Sequence, residues 1–96
     1  LFHGGVSGAI ADNAAGFAAM TLMDKEKEPL TIEFKINFLN IADGEKLVAE
    51  AEILQAGQKI FHGESKVYTI KKKEKLLTAT ALVTIKATSK VSEKIR

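Results

Sequence analysis

Residues 4–22 read GGVSGAIADNAAGFAAMTL, and this stretch decides the fold. No proline or run of β-branched residues interrupts it, so we predict a helix from about Gly5 to Leu22. Almost every side chain in it is apolar or small, which is typical of a helix that is buried on all sides. Asp12 is the only charged residue between Leu1 and Met23. A buried carboxylate is costly unless something compensates it, so Asp12 is the first candidate for a functional residue.

Downstream of this helix the hydrophobic period changes to two, which is typical of β-strands. Residues 23–29 are polar and end in a proline, so we predict a loop there. Turns are predicted at residues 42–45, 56–58 and 72–75, and the polar tail from Ser89 to Arg96 is expected to fray. Between them we predict a meander of four strands: Leu30 to Ile41, Lys46 to Ala56, Lys59 to Lys71, and Leu76 to Thr88.

The order of one apolar helix and four strands predicts an α+β fold. A helix this apolar is not expected to lie on a flat sheet with its back in water. We therefore expect a curved antiparallel sheet wrapped around a long central helix, with a second copy of the chain covering what the sheet leaves open. A length of 96 residues predicts that residues 1–96 form one small domain.

Composition excludes several classes of protein. The chain has no cysteine, so it has no disulfides, thiolate metal sites or cysteine nucleophiles, which agrees with a cytoplasmic location. A net charge of +2 is too small to indicate binding to nucleic acid or to a membrane. No basic region precedes the apolar run, which argues against a signal peptide. As a membrane span the run would carry Asp12 at its centre, where a charge costs about 2.5–3.5 kcal/mol on insertion scales.

The start of the helix and Asp12 together suggest acyl-transfer chemistry. Unpaired N–H groups at a helix N-terminus can polarise a carbonyl, and a carboxylate can attack it or activate water. Gly4 and Asp12, however, are about 12 Å apart along one helix, so they cannot both touch one carbonyl carbon. A two-fold dimer would place Asp12 of one chain opposite Gly4 of the other. The predicted helix also carries a stripe of small residues around the acid: Gly5, Gly8, Asp12, Ala15 and Ala19.

Residues 1–6 (LFHGGV) and 12–16 (DNAAG) resemble the signature of hotdog-fold acyl-CoA thioesterases of the phenylacetate-degradation type. That signature is a His-Gly-Gly, an acid nine residues after the histidine, and a helix of small residues. Residues 30–39 resemble the family's first long strand after the helix, and Gly44, Ala49 and Gly57-Gln58 fall at its turn and hairpin positions. The resemblance implies a hotdog fold and hydrolysis of an acyl- or aryl-acyl-CoA to the free acid and CoA. It also implies a site at a homodimer interface, with dimers pairing into a tetramer.

The resemblance also implies residue roles. Asp12 would be the nucleophile or the general base, the Gly4 N–H would polarise the thioester carbonyl, His3 would shape the loop, and the Thr31 hydroxyl would orient water. CoA is then part of the substrate, and no cofactor, metal or nucleic acid is expected. Expected substrate contacts are Gly5, Gly8, Phe38, Asn40, Gln58 and Lys59. Where the family often has Arg-Pro, this chain has Asn40-Ile41, and it begins too late to show a polar residue before the histidine, so it looks like a fragment.

Alternatives remain open from the sequence. Asp12 could be a structural acid in a non-catalytic hotdog protein that binds acyl-CoA or a partner protein. A hydratase is less favoured, because no histidine follows Asp12 at helical spacing. His62 is expected to be an ordinary surface residue. Residues 71–75 (KKKEK) are expected to form a solvated turn. This turn and Lys59 could also hold the phosphates of CoA. Phe17 and Phe34 are expected in the core.

Overall fold

A computed structural model describes residues 2–89 of the chain. Its elements are one helix, α1 (Gly4–Met20), and four strands: β1 (Lys27–Phe38), β2 (Lys46–Ala56), β3 (Ile60–Lys71) and β4 (Glu74–Ser89). The strands form one antiparallel sheet in the order β1-β4-β3-β2, and α1 contacts all four of them. The predicted α+β class with a four-stranded antiparallel sheet is confirmed. Leu1 and most of the predicted tail lie outside the described residues.

Element boundaries agree best in the middle of the chain. The observed limits of β2 match the prediction, and β3 begins at Ile60, one residue after its predicted start. α1 ends at Met20 rather than Leu22, and β4 is longer than predicted because only Lys72 and Lys73, both with positive φ, make the turn before it. β1 begins three residues before the predicted start and contains Pro29, which an edge strand tolerates because one side of it makes no ladder hydrogen bonds.

The predicted meander is wrong for β1. Strands β2, β3 and β4 do follow one another as hairpins, but β1 pairs with β4, so β1 and β2 lie at opposite edges. Residues 39–45 therefore cross the end of the sheet, a distance of about 14 Å for three strand spacings, which seven residues can span. This loop passes in front of the start of α1, where the Phe2 N–H donates to the Ala42 carbonyl at 2.7 Å.

A bulge in β1 changes which side chains face the helix. The register with β4 shifts between Thr31 and Glu33, so Ile32 is the extra residue. Upstream of it Thr31 shares a face with the buried Ile85, and downstream Phe34 shares that face with the buried Val83. The sequence pattern placed Ile32 in phase with Phe34, but the structure gives that place to Thr31, and Ile32 is exposed.

The core between α1 and the sheet is made of small residues. α1 buries Ser7, Gly8, Ala11, Ala15 and Ala19 against the sheet. A Cβ at Gly63 of β3 would lie 3.6 Å from the Ala15 Cβ, so the glycine lets helix and strand approach closely. Gly5 is exposed and Asp12 lies at the margin of the stripe rather than within it, because the sheet meets the side of the helix with the smallest side chains.

The helix is not enclosed within one chain. Its outer side exposes Val6, Phe17 and Met20, with Phe17 65% exposed. The 17-residue helix therefore lies on one face of the sheet. The predicted long central helix, wrapped by a curved sheet, is not formed by one chain alone. Phe17, expected in the core, is at the surface, and Phe34 is partly exposed although its ring lies 3.7 Å from where a Gly8 Cβ would be. In the part of the chain that is described, no helix has the length and hydropathy to cross a bilayer.

Candidate active site

The first turn of α1 leaves one backbone donor unused. His3 is the N-cap: its carbonyl accepts from the N–H groups of Val6 and Ser7 at 3.0 and 3.4 Å, and its Nδ1 accepts from the Gly5 N–H at 3.3 Å. Within residues 2–89 the Gly4 N–H has no partner. A helix N-terminus carries partial positive charge, so this N–H is suited to an oxygen that becomes negative. Since Nδ1 accepts, the proton of a neutral His3 ring is on Nε2.

Gly4 opens onto a cavity of about 630 Å³. Its walls come from the start of α1, the end of β1, the loop that follows β1, and Thr78 of β4. The Phe38 ring packs against Gly4, and a Cβ at position 4 would lie 3.2 Å from that ring. Asn40 is fixed at the wall by its Nδ2, which donates to the Leu77 carbonyl at 3.0 Å. Four predicted site residues, His3, Gly4, Phe38 and Asn40, therefore meet at this cavity.

Asp12 lies on the same helix but in a second cavity of about 260 Å³. Its Oδ1 accepts a hydrogen bond of 2.6 Å from the Thr31 hydroxyl on β1, and the pair is partly buried. The β1 bulge makes this contact possible, because it turns Thr31 toward the helix. Thr31 therefore holds the carboxylate in place, and the water-orienting role that the resemblance implies for its hydroxyl stays a prediction.

The remaining predicted contacts do not join either cavity within one chain. Gly5 is exposed with its N–H bonded to His3, and Gly8 packs against Phe34. Gln58 and Lys59 line a third cavity, of about 440 Å³, beside residues 22–24 that follow the C-terminal end of α1. Gly4 and Asp12 are likewise separated, as the helix geometry required. Any site that uses all of these residues needs a second chain.

The structure adds Phe2, Ser7 and Thr78 to the wall of the large cavity. Ser7 could have been found from the sequence, since it is three residues after Gly4 on the same side of the helix and is the only polar side chain between Val6 and Ala11. Thr78 could not, because it is the unpaired residue where the β3–β4 register shifts. Such an irregularity leaves no mark in the hydrophobic pattern.

The basic turn at residues 71–75 is partly neutralised by carboxylates. The Lys71 ammonium bonds Asp43 at 2.8 Å and holds the pKa of that carboxyl below its usual range, while Asp43 raises the pKa of Lys71. Lys75 bonds Glu50 at 2.8 Å, which raises the pKa of Lys75, and its ammonium lies 4.2 Å from the centre of the Tyr68 ring. These contacts fit the predicted solvated turn. His62 is exposed on β3, and the described residues hold no cluster of three or more His, Asp or Glu suited to a metal.

The sequence and fold of the chain were compared with those of known proteins. The sequence model of the thioesterase superfamily matches residues 1–76. The chain belongs to the thioesterase superfamily. The family predicted from the His-Gly-Gly and Asp12 is thereby confirmed, whereas the phenylacetate-degradation type is not distinguished by this match. A search of curated proteins gave no match.

Several solved structures have the same fold as this chain. A thioesterase family protein from Silicibacter pomeroyi is 35% identical with a TM-score of 0.91, over 93% of this chain and 65% of that one. A mutant of the thioesterase enzyme SAV0944 from Staphylococcus aureus is 25% identical with a TM-score of 0.80, over 90% of this chain and 69% of that one. The BH2602 protein from Bacillus halodurans, solved with CoA, has a TM-score of 0.86 over 92% of this chain and 60% of that one; at 24% identity it supports the fold alone.

Proposed function

We propose that the protein is a thioesterase that hydrolyses an acyl-CoA to the free acid and CoA. The observation that carries the proposal is the unpartnered Gly4 N–H at the start of α1, which opens onto a cavity with apolar walls. This is the geometry that stabilises an oxyanion, and losing such a donor typically costs about 2.7–4 kcal/mol in the transition state. Membership of the thioesterase superfamily gives the same chemistry.

In the proposed reaction the Gly4 N–H donates to the thioester oxygen as it becomes negative. Asp12 takes a proton from water, whose oxygen bonds the carbonyl carbon; the C–S bond then breaks and the CoA sulfur leaves, receiving that proton. In the alternative, Asp12 itself bonds the carbonyl carbon, the C–S bond breaks and CoA leaves as the thiolate. Water then hydrolyses the resulting anhydride, which releases the acid and the free Asp12 carboxylate, and a proton from that water goes to the CoA sulfur. In both routes Thr31 keeps the carboxylate aimed, and His3 shapes the loop by accepting from Gly5. CoA is part of the substrate in both, and no cofactor takes part.

The shared site requires a homodimer, and β1 is the strand that supports it. β1 pairs with β4 on one side only, and several of its apolar side chains are exposed, including Leu30, Ile32 and Phe38. Two copies pairing β1 antiparallel about an axis between residues 34 and 35 would place Thr31 of one copy opposite Phe38 of the other. Because Asp12 is bound to Thr31 and Gly4 packs on Phe38, this pairing brings Asp12 of one copy toward Gly4 of the other.

The finer parts of the proposal rest on separate observations. Leu54 and Leu82 are more than half exposed on the other face of the sheet, which suits a dimer-of-dimers tetramer. The B. halodurans relative solved with CoA has the same fold, which agrees with a CoA thioester as substrate. The phenylacetate type, with an aryl-acyl group, rests on the His-Gly-Gly and Asp12 signature alone, and a cytoplasmic location rests on the absence of cysteine.

One observation favours a second candidate, a non-catalytic acyl-CoA-binding protein. The hydrogen bond between Thr31 and Asp12 would also suit a structural acid, which a binding protein could retain. The two candidates differ in one measurable property, because only the thioesterase releases free thiol.

The test is a panel of acyl-CoA and aryl-acyl-CoA substrates with detection of released thiol, for the wild type and for Asp12→Asn. We expect Asp12→Asn to lower kcat by at least about 100-fold, the lower end of what a general base contributes, while the protein stays folded. The matched control, Glu26→Gln, neutralises an exposed acid in the α1–β1 loop and should keep full activity. Thiol release by Asp12→Asn at the wild-type rate would refute the catalytic assignment, and binding of acyl-CoA without hydrolysis by the wild type would identify the binding protein.

A further inference from the structure

Ser7 is a nearly buried residue whose hydroxyl has no partner among the described residues and opens onto the cavity. The residue is 2% exposed and lines the large cavity in front of Gly4. The other buried hydroxyls are bonded: Ser65 donates to the Ala11 carbonyl at 2.7 Å, and Thr69 and Thr78 bond each other at 3.0 Å. Among residues 2–89 the Ser7 hydroxyl makes no hydrogen bond. No buried side-chain oxygen or nitrogen of the described residues lacks a partner, so the Ser7 oxygen must be open to the cavity, and a group inside the cavity can bond it.

Ser7 cannot share the oxygen that Gly4 binds. The Gly4 N–H points out of the helix along its axis, whereas Ser7 lies three residues, or about 4.5 Å, further into the helix. With a hydrogen bond of about 2.9 Å beyond Gly4, the thioester oxygen is about 7 Å from the Ser7 hydroxyl. An oxygen that bonds Ser7 is then at least about 4 Å from the thioester oxygen. The third carbon of the acyl group is the first whose substituent can lie that far from the thioester oxygen.

The walls of the cavity indicate which part of the substrate enters it. Phe2, Phe38, Leu39 and Ile41 present hydrocarbon, and no lysine or arginine lines the cavity. A phosphate would find no cation there, whereas an acyl chain would bury apolar surface. The basic turn lies outside the cavity, on the far side of the loop that carries Asp43. The acyl group is therefore the part that passes Ser7.

From these distances we propose that Ser7 determines substrate specificity by hydrogen-bonding an oxygen on the third carbon of the acyl group. The substrate class is then 3-hydroxyacyl or 3-oxoacyl thioesters, since a serine hydroxyl donates to a keto oxygen and either donates to or accepts from a hydroxyl. The inference rests on the proposed thioesterase function and on Gly4 as the carbonyl donor. It leaves the roles of Asp12 and Thr31 unchanged.

The experiment compares 3-hydroxyhexanoyl-CoA with hexanoyl-CoA, following thiol release by the wild type and by Ser7→Ala. We expect the wild type to favour the hydroxylated substrate by about tenfold in kcat/KM, the effect of one buried hydrogen bond. Ser7→Ala should abolish that preference by slowing the hydroxylated substrate alone. Ser7→Cys keeps the volume but has only a weak donor, so it should also lose the preference; it replaces Ser7→Ala if that variant does not fold. Thr21→Ala, which removes an exposed hydroxyl at the far end of α1, should keep it.

Two outcomes overturn the inference while the proposed function stands. In one, the wild type hydrolyses both substrates equally. In the other, Ser7→Ala slows both by the same factor, which would mean that Ser7 contacts the CoA portion. If the wild type releases thiol from no acyl-CoA, the thioesterase proposal fails and this inference fails with it. Formation of an enoyl thioester from 3-hydroxyhexanoyl-CoA without thiol release would instead indicate the hydratase alternative.

Discussion

At the scale of single residues, two features mark Asp12 as functional: its isolation in an apolar run and its hydrogen bond to Thr31. The sequence predicted the first feature better than the second. Its isolation in an apolar run is enough to mark it as a candidate functional residue. Its partner was harder to place, because alternation along residues 30–38 put Thr31 out of phase with Phe34. The bulge at Ile32 brings both to the helix side, and the 2.6 Å bond to Asp12 follows from it.

The role of Thr31 can be measured by replacing it with valine. Thr31→Val keeps the shape but removes the hydroxyl, so Asp12 loses the donor that aims it. We expect kcat to fall about tenfold, in line with the loss of one hydrogen bond to a charged group, with little change in KM. Thr31→Ser, which keeps the hydroxyl, should restore most of the activity. Thr84→Val, the same change at a half-buried position of β4, should leave kcat unaltered. If the serine variant is as slow as the valine variant, Thr31 contributes packing rather than orientation.

At the scale of elements, α1 has more apolar surface than the sheet of its own chain buries. The sequence predicted a helix buried on all sides, and the prediction of its start and of its small residues was good. The sheet covers only the alanine side, however, so Phe17 is left 65% exposed. An apolar pattern in the sequence predicts that a surface is covered. It does not predict whether the same chain or another molecule covers that surface.

The exposed side of α1 supplies a test of the dimer. Phe17→Glu places a charge on this surface, where one folded chain can solvate it, so the free energy of unfolding of a single chain should change little. A second copy packed there would have to bury the charge, so we expect the variant to sediment as a monomer and to lose thiol release. Leu82→Glu puts the same charge at a residue 53% exposed on the other face of the sheet, and it should keep the dimer. An unchanged sedimentation coefficient for Phe17→Glu would exclude α1 from the interface.

At the scale of the whole molecule, strand existence was predictable and strand order was not. The limits of β2 follow from clear alternation between Lys46 and Ala56, and Leu47, Ala49, Ala51 and Ile53 pack against the core. Pairing of β1 with β4 depends on a crossing loop, and nothing in residues 39–45 distinguishes it from a hairpin turn. The same limit applies to the site, since His3, Gly4, Phe38 and Asn40 meet in one chain but Asp12 does not join them.

Whether two chains share one site can be decided by mixing two inactive variants. Gly4→Val should be inactive alone, because its side chain would enter the space next to the Phe38 ring in front of the N–H. Asp12→Asn should be inactive for lack of a base. After the two are unfolded together and refolded in equal amounts, half of the dimers contain one chain of each kind. One of the two sites in each such dimer carries neither lesion, so about a quarter of the wild-type activity should return. Asp12→Asn mixed with a chain that carries both substitutions has no intact site and should stay inactive. Recovery is impossible if Gly4 and Asp12 act within one chain, so an inactive first mixture that contains mixed dimers would refute the shared site.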